Sequence, residues 1–359
     1  MSVENLTGNE LDVAGEAALY RAMRRCWHPV CYASEVEEDP RGVVLMDERL
    51  VVVRLGDEVR CFPDLCLHRG TALSLGWVEG DRLRCAYHGW TYDRSGQAVE
   101  IPARPELSGH VKIRLRRFQV EERGGLIWVC LEDEPLFDLP EFPEWDDPDF
   151  RVLTVPSYVW DASAARRIEN YVDFSHFAWV HDGVLGDRDH PEVPDHEVWK
   201  ERSELRFGEG FFRPPHEQDV VAEERSQDRE GLPYKTGTIL ADKSYRLMMP
   251  YTVWLDQRLP GGKHYVLYFS ASPVSAKRTR CFTFMARNYE KDPENDEKFL
   301  AFNDLVVGQD RPIVESQRPE ELPVDLSAEL HVKGVDAISL EYRKWLIQIV
   351  RDTIAAEAG

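Results

Sequence analysis

Two mixed pairs of cysteine and histidine constrain this chain more than any other feature of its sequence. The first pair is Cys66 and His68 in "CLHRG", and the second is Cys85 and His88 in "CAYHGW". Thiolate and imidazole are the side chains that hold zinc ions and iron–sulfur clusters. The sequence therefore predicts two neighbouring turns that bind a metal, and the alternative is two ordinary β-turns with an accidental spacing.

The order of the four residues distinguishes between the metals. Zinc sites more often group like residues, as C-x2-C followed by H-x3-5-H. Here each turn carries one cysteine and one histidine, which suits a [2Fe–2S] cluster whose cysteines hold one iron and whose histidines hold the other. Gly70 and Gly89 follow the pairs, where the backbone must approach the cluster closely. The pattern predicts such a cluster, shielded from water by Trp90, and a zinc knuckle is the alternative.

The residues around these pairs have the pattern of a small all-β domain. Residues 10–27 carry a helical pattern, and short strands separated by turns follow from about 28 to 132. "GGLIWVCLE" is typical of a buried strand, and the acidic, proline-rich stretch at 133–150 is predicted to be a linker. We expect an N-terminal helical segment over residues 1–27 and an all-β domain over 28–135.

The rest of the chain, residues 136–359, is predicted to be a second domain of the α+β class. A helix is expected over 161–182, strands between about 197 and 289, and two closing helices near 293–317 and 336–356. The charged stretch at 213–236 is predicted to be a solvated loop, with a lid as the alternative. The segment 183–198, which holds His190 and His196, is predicted to be a loop over the pocket.

The predicted helix at 161–182 contains a second constellation, "ENYVDFSHFAWVH". His176 and His181 are five residues apart, which on a regular helix places them about 140° from each other. Two ligands of one ion at this spacing require a helix break or a π-bulge. Asp173 lies one turn before His176 and can accept a hydrogen bond from its imidazole.

Two histidines and one carboxylate form the facial triad of a non-haem Fe(II) oxygenase, which leaves positions open for dioxygen. Asp310 in "LVVGQDRPIVESQRP" is the predicted carboxylate, and Asp304 and Glu315 are the alternatives. A histidine pair on an aromatic-rich helix can also simply pack, but the upstream cluster motif favours a metal.

Together, the two constellations resemble the α subunits of Rieske non-haem iron oxygenases over nearly the whole chain. "CLHRG…CAYHGW" matches both cluster-binding boxes of this family, and Glu169 through His181 matches its pattern E-N-x-x-D-x-x-H-x4-H. The segment around Asp310 is similar to the carboxylate segment of the family. The chain length favours the single-subunit branch, which includes vanillate and dicamba O-demethylases and phthalate and phenoxybenzoate oxygenases.

The resemblance implies an N-terminal all-β Rieske domain and a C-terminal, helix-grip-like catalytic domain of the α+β class. It also implies a head-to-tail trimer, in which the cluster of one subunit feeds the iron of its neighbour through Asp173. Asn170 joins Asp173 as an expected catalytic residue. The implied cluster ligands are Cys66, His68, Cys85 and His88, and the implied Fe(II) ligands are His176, His181 and Asp310.

The expected reaction is the monooxygenation of a small aromatic or hydrophobic substrate. Attack on a C–H bond beside an ether oxygen or an amine nitrogen gives dealkylation, and attack elsewhere gives hydroxylation. Two alternatives stay open at this point: a cis-dihydroxylating ring dioxygenase, and a Rieske electron carrier without catalysis. The possible triad between residues 161 and 317 argues against the electron carrier.

The sequence also restricts the partners. No G-x-G-x-x-G motif follows a strand, so electrons from NAD(P)H are expected to arrive through a separate reductase, with or without a ferredoxin. A net charge of −21 argues against nucleic acid as a partner. No apolar run approaches the roughly 20 residues of a membrane helix, and the polar N-terminal residues predict a cytoplasmic protein with reduced thiols.

Overall fold

A computed structural model describes residues 8–209, 212–213, 239–240, 243–259 and 261–358. Most of the predicted charged loop, residues 214–236, lies outside the described residues. The chain divides into two compact units. One unit, called the β unit here, comprises Met23–Glu141 with Ser272–Ala276, and the other, called the α+β unit, comprises the remaining residues.

The β unit is built from three small antiparallel sheets, with strand orders β1-β10-β9, β2-β3-β4 and β5-β6-β7-β8. Its strands are β1 (His28–Tyr32), β2 (Arg41–Leu45), β3 (Glu48–Leu55), β4 (Glu58–Pro63), β5 (Trp77–Glu79), β6 (Arg82–Arg84), β7 (Thr91–Tyr92), β8 (Ala98–Glu100), β9 (Gln119–Arg123) and β10 (Leu126–Cys130). Every residue of β10 is buried, as its continuous apolar sequence predicts.

The core of the β unit includes the two cysteines of the cluster motif. Cys66 and Cys85 pack with fully buried apolar residues of neighbouring strands, such as Val53, Phe62 and Leu83. Burial of each such large side chain stabilises the fold by about 1.5–3 kcal/mol. Both thiols are therefore held in position by the hydrophobic core.

The α+β unit contains a seven-stranded sheet with the order β11-β19-β18-β17-β16-β13-β12, and a separate two-stranded pair, β14-β15. The strands are β11 (Arg151–Trp160), β12 (Val198–Glu201), β13 (Glu204–Glu209), β14 (Phe212–Arg213), β15 (Ile239–Leu240), β16 (Lys243–Met248), β17 (Thr252–Leu259), β18 (Lys263–Ser275) and β19 (Arg278–Arg287). The strands expected between residues 197 and 289 are thus present.

The described residues contain five α-helices: α1 (Gly8–Met23), α2 (Ala164–Val172), α3 (Phe177–Val180), α4 (Asp296–Ser316) and α5 (Ala337–Ala358). The ends of α4 and α5 agree with the predicted helices to within three residues, whereas α1 ends four residues early. No helix in the described part of the chain is long and apolar enough to cross a membrane.

The helix expected over 161–182 is interrupted in the structure, and the position of the break matters for the site. Helix α2 begins after Ser163, whose Oγ accepts a hydrogen bond from the backbone of Arg166 at 3.2 Å. It ends at Val172, because Asp173 has an extended backbone and its carboxylate accepts a hydrogen bond from the Ser175 N–H at 2.9 Å. The break therefore lies before His176, and the two histidines flank the four-residue helix α3 instead of lying on one long helix.

Ion pairs of two buried arginines tie α2 to α5 and to Glu329 in the segment before α5. Arg343 on α5 donates to both carboxylate oxygens of Glu169, at 2.5 and 2.7 Å, and Arg166 donates to Glu329 at 2.6 Å. The side chains of both arginines are only 2–3% exposed. A buried charge is tolerated only when it is paired and hydrogen-bonded, so these contacts determine where α2 lies.

Candidate metal centres and active site

The two cysteine–histidine turns of the β unit have the same backbone geometry. In each turn, the N–H of the glycine four residues after the cysteine donates to the cysteine carbonyl, at 2.9 Å from Gly70 to Cys66 and at 3.0 Å from Gly89 to Cys85. The glycines have φ values of +71° and +69°, a region that L side chains rarely adopt. Local sequence thus produces two equivalent loops.

These loops bring the two cysteines close to each other and the two histidines close to each other. Burial raises the pKa of the Cys85 thiol, and the adjacent Cys66 thiol raises it further. The imidazole rings of His68 and His88 have centroids 4.6 Å apart. The buried Nδ1 of His68 makes no hydrogen bond within the described residues, so its lone pair is available to a metal. The donor set fits a [2Fe–2S] cluster with one iron on the thiolates and one on the imidazoles.

Two aromatic side chains support this donor set. Trp90 stacks on His68 with a centroid distance of 4.9 Å, so it covers one face of that ring. The hydroxyl of Tyr92 lies 3.3 Å from the Cys66 sulfur and accepts a hydrogen bond from the Leu67 N–H at 3.1 Å. The sequence analysis missed Tyr92, which has the pattern of an ordinary strand residue.

In the α+β unit, the structure brings together His176, His181 and Asp310. One possible ligand atom from each residue lies within 4.8 Å of the others. The Nε2 atoms of the two histidines are 3.4 and 3.0 Å from Oδ1 of Asp310. The alternatives named from the sequence lie elsewhere: Asp304 is exposed, and Glu315 accepts a hydrogen bond from the backbone of residue 161.

On each histidine ring, a hydrogen bond at Nδ1 leaves Nε2 facing the Asp310 carboxylate. Nδ1 of His176 lies 2.9 Å from the Asp173 carboxylate, and Nδ1 of His181 lies 2.8 Å from Oε1 of Gln309. Both partners are acceptors, so each Nδ1 carries a proton, and Nε2 is the ring nitrogen that a metal can bind once any second proton has been released. Nε2 of His181 is buried and makes no hydrogen bond among the described residues, although Asp310 is near. This arrangement fits a divalent metal ion.

The pKa values of His176, Asp173 and Asp310 are shifted by their contacts with one another. Burial by itself lowers the pKa of His176, but hydrogen bonds to Asp173 and Asp310 outweigh it and raise that pKa to about 9. Burial by itself raises the pKa of both carboxyl groups, but their histidine partners shift the pKa of Asp173 and of Asp310 below its ordinary value. Both acids are therefore carboxylates at neutral pH.

Asn170 lies at the end of α2, beside the carboxylate of the group. Its side-chain N–H donates to Oδ1 of Asp310 at 3.4 Å, and its carbonyl oxygen accepts a hydrogen bond from Arg167 at 2.7 Å. The guanidinium of Arg167 is buried between Trp160 and Phe269, at 4.5 and 4.6 Å from their ring centroids. Arg167, which the sequence analysis missed, thus orients the amide of Asn170.

A cavity of about 820 Å³, part of which is open to solvent, reaches this group. His176, His181, Asp310 and Asn170 contribute to its lining. Most of the remaining wall is aromatic or aliphatic, with Tyr158, Tyr171, Phe177, Leu185, Tyr245, Leu255, Tyr265, Leu267, Phe269, Phe302, Val306 and Val307. Such a cavity suits a small, largely apolar molecule.

A two-histidine, one-carboxylate group beside an apolar cavity, in a chain that also has cluster-type turns, defines a terminal oxygenase that receives electrons singly. Comparison with protein families agrees. Residues 26–118 match the Rieske [2Fe-2S] domain, and residues 160–352 match the vanillate O-demethylase oxygenase C-terminal domain. The chain belongs to the Rieske non-haem iron oxygenases.

Characterised relatives cover almost the whole chain. Methylxanthine N1-demethylase NdmA of Pseudomonas putida is 36% identical over 337 residues, which span 91% of this chain and 89% of the relative. Methylxanthine N3-demethylase NdmB of the same organism is also 36% identical, over 90% of this chain and 88% of its own. The structure of NdmA with caffeine superposes with a TM-score of 0.78 at 34% identity, and covers 94% of this chain and 96% of that one.

These matches confirm several predictions. The fold is an N-terminal all-β Rieske domain followed by an α+β catalytic domain. The protein is an oxidoreductase that uses a [2Fe–2S] cluster, mononuclear Fe(II) and dioxygen, acts on a small molecule, and obtains electrons of NAD(P)H through a separate reductase. The match to a catalytic domain argues against an electron carrier without catalysis. In sequence, this chain is more similar to the demethylases than to the ring dioxygenases.

Proposed function

We propose that this protein removes a methyl group from a nitrogen or oxygen atom of a small aromatic compound by monooxygenation. The observation that carries the proposal is the group His176, His181 and Asp310 beside a cavity with aromatic walls. The relatives that span the chain are N-demethylases, and the matching catalytic domain takes its name from an O-demethylase.

In this proposal, Nε2 of His176, Nε2 of His181 and Oδ1 of Asp310 hold Fe(II), which supplies dioxygen activation when bound. Three protein ligands leave positions open for dioxygen and water. Asn170 donates to Oδ1 of Asp310 and so limits how the carboxylate can turn. The apolar walls exclude bulk water from the reacting carbon.

The overall reaction balances with two electrons and two protons. One oxygen atom of O₂ enters a C–H bond of the methyl group, and the other leaves as water. The resulting hemiaminal or hemiacetal loses the proton of its new hydroxyl group as the C–N or C–O bond breaks, and the departing nitrogen or oxygen takes up a proton. The products are formaldehyde and the demethylated compound, one of each per O₂ consumed.

We extend the proposal to a head-to-tail homotrimer. The cluster turns present exposed apolar side chains, including Leu67 at 42% and Tyr87 at 63% exposure, and Trp179 between the two histidines is 58% exposed. Exposed apolar surface of this kind marks interaction sites. The Asp173 side chain is 31% exposed while its carboxylate binds His176, so it can also reach a histidine of a second subunit.

In the proposed trimer, the electron donor would dock beside these turns, at the edge of the subunit interface. A reductase would reduce the cluster there, either directly or through a ferredoxin. A cytoplasmic location, where NAD(P)H is available and thiols stay reduced, belongs to this proposal.

The test uses the iron-loaded protein with a surrogate reductase, NADH and a panel of N-methyl and O-methyl aromatic compounds. The expected result is one formaldehyde and one demethylated product for each O₂ consumed. Oxygen uptake without product across the panel, or a cis-diol as the product, would contradict demethylation.

A further inference from the structure

One wall of the cavity is a face of the large sheet, and its residues form two ordered rows. Gln257 on β17 lies directly opposite Lys243 on β16 and directly opposite Tyr265 on β18. Leu255 lies on β17 two residues before Gln257. It is paired in the same way with Tyr245 on β16 and with Leu267 on β18. All six side chains line the cavity, so its sheet wall has a polar row beside an apolar row.

Two members of the polar row lack partners for their polar side-chain atoms in the part of the chain that the structure describes. Within the described residues, neither the Gln257 amide nor the Tyr265 hydroxyl makes a hydrogen bond, whereas Lys243 has further contacts. Burial raises the pKa of Tyr265, so its hydroxyl stays a neutral O–H donor. A polar group against an apolar wall gains most when a ligand supplies its missing hydrogen bond.

We propose that Gln257 and Tyr265 form a substrate subsite that donates hydrogen bonds to an acceptor oxygen, either a carbonyl or a carboxylate. The proposal deepens the proposed function and rests on it. The metal-binding group comes from α4 and from the segment at the end of α2 through α3, whereas the polar row comes from β16 to β18. A flat substrate between these walls would anchor its oxygen on the sheet and present its methyl group to the metal.

The test measures the binding of three matched probes to the iron-loaded protein by titration calorimetry. The probes are 4-methoxybenzamide, 4-methoxybenzoate and 4-methoxytoluene, which carry a carbonyl, a carboxylate and no acceptor. We expect at least one of the first two to bind about tenfold more tightly than 4-methoxytoluene, the effect of one well-made hydrogen bond. Gln257→Leu should abolish that preference, and Tyr265→Phe should reduce it.

Gln257→Glu distinguishes the two kinds of acceptor, because the new carboxylate repels 4-methoxybenzoate much more than 4-methoxybenzamide. Gln348→Leu, at an exposed glutamine of α5, is the matched control and should preserve the preference. Iron content and the cluster spectrum of each variant report whether it is folded and loaded. Equal binding of all three probes to the unmodified protein, or a preference that survives Gln257→Leu, would overturn the subsite.

Formaldehyde release from the same probes separates this inference from the proposed function. A preference in binding that depends on Gln257, with no formaldehyde from any probe, would contradict demethylation and leave the subsite standing. Demethylation of all three probes with equal KM would support demethylation and overturn the subsite.

Discussion

His181 and Gln309 are joined by a hydrogen bond of 2.8 Å that determines which nitrogen of the imidazole faces the metal-binding group. The other histidine has a charged partner in the same position, since Asp173 lies 2.9 Å from Nδ1 of His176. One ring is therefore paired with a carboxylate and the other with a neutral amide. This asymmetry predicts that the two histidines differ as metal ligands.

Gln309→Leu removes the acceptor that holds the proton on Nδ1 of His181. Loss of such a partner typically costs 10–100-fold in metal affinity, so we expect Fe(II) and Co(II) to bind about 10–100-fold more weakly. Metal titration under anaerobic conditions measures this, with the cluster spectrum unchanged. Gln309→Glu keeps an acceptor and should retain the metal. Unchanged affinity in Gln309→Leu would show that the hydrogen bond has no such role.

Asp173→Asn preserves the size of the side chain and removes its charge. Both metals should stay bound and the cluster should still accept an electron from its donor. Product formation should fall by at least about 10–100-fold, because the carboxylate orients His176 and, in the proposed trimer, links the two metal sites. Single-turnover kinetics of the pre-reduced protein locate the loss at the transfer step. Turnover near the normal rate, or an active monomer, would contradict transfer between subunits at this residue.

Arg343→Ala leaves the carboxylate of Glu169 buried without its main partner. Breaking a buried ion pair from one side costs about 3–5 kcal/mol, so we expect a loss of this size in the free energy of unfolding. Chemical denaturation followed by circular dichroism measures it. Lys344→Ala, at the next residue, removes an exposed cation that binds Glu341 and should change stability by less than about 1 kcal/mol. Equal effects of the two substitutions would refute the role of the buried pair.

His28 makes stability depend on pH. Burial lowers its pKa to about 4, although its hydrogen bond to the Met23 carbonyl acts in the opposite direction. In the unfolded chain, His28 therefore binds a proton near pH 6.5, whereas in the folded protein it stays neutral down to about pH 4. The contribution of neutral His28 to the free energy of unfolding is complete above about pH 6.5 and falls as the pH drops towards 4.

The measurement is the change in melting temperature between pH 7 and pH 5. His28→Gln should be less stable at pH 7 and lose less on acidification than the unmodified protein. His110→Gln, at an exposed histidine, is the control and should follow the unmodified protein. The same acid-dependent loss in all three proteins would mean that His28 does not contribute.

The parts of the site that sequence could predict are those encoded over short distances. Cys66 and Cys85 lie in separate five- and six-residue motifs whose ligand order already indicates the cluster. The spacing of His176 and His181 indicated that they could not share one regular helix, and the structure has a helix break just before His176. Its location depends on the Asp173 carboxylate, which caps the following turn, and side-chain capping of this kind is ambiguous in sequence.

The remaining parts depend on long-range register. Asp310 was predicted from its family-like segment, but Gln309 beside it has no pattern that indicates a partner 128 residues away. Arg167 has the pattern of an exposed helical charge, and its burial between aromatic rings follows from packing alone. The alignment of Gln257 with Tyr265 results from strand pairing, which one sequence does not specify.

The metal content of the purified protein and of two variants tests the central claim most directly. Two independent metal sites predict about three irons and two acid-labile sulfides per chain in the unmodified protein. Cys85→Ser should lose the sulfide, the visible absorbance and about two irons, whereas His181→Ala should lose about one iron and keep the cluster spectrum. Stoichiometric zinc without visible absorbance, or the loss of both sites together in either variant, would contradict the account.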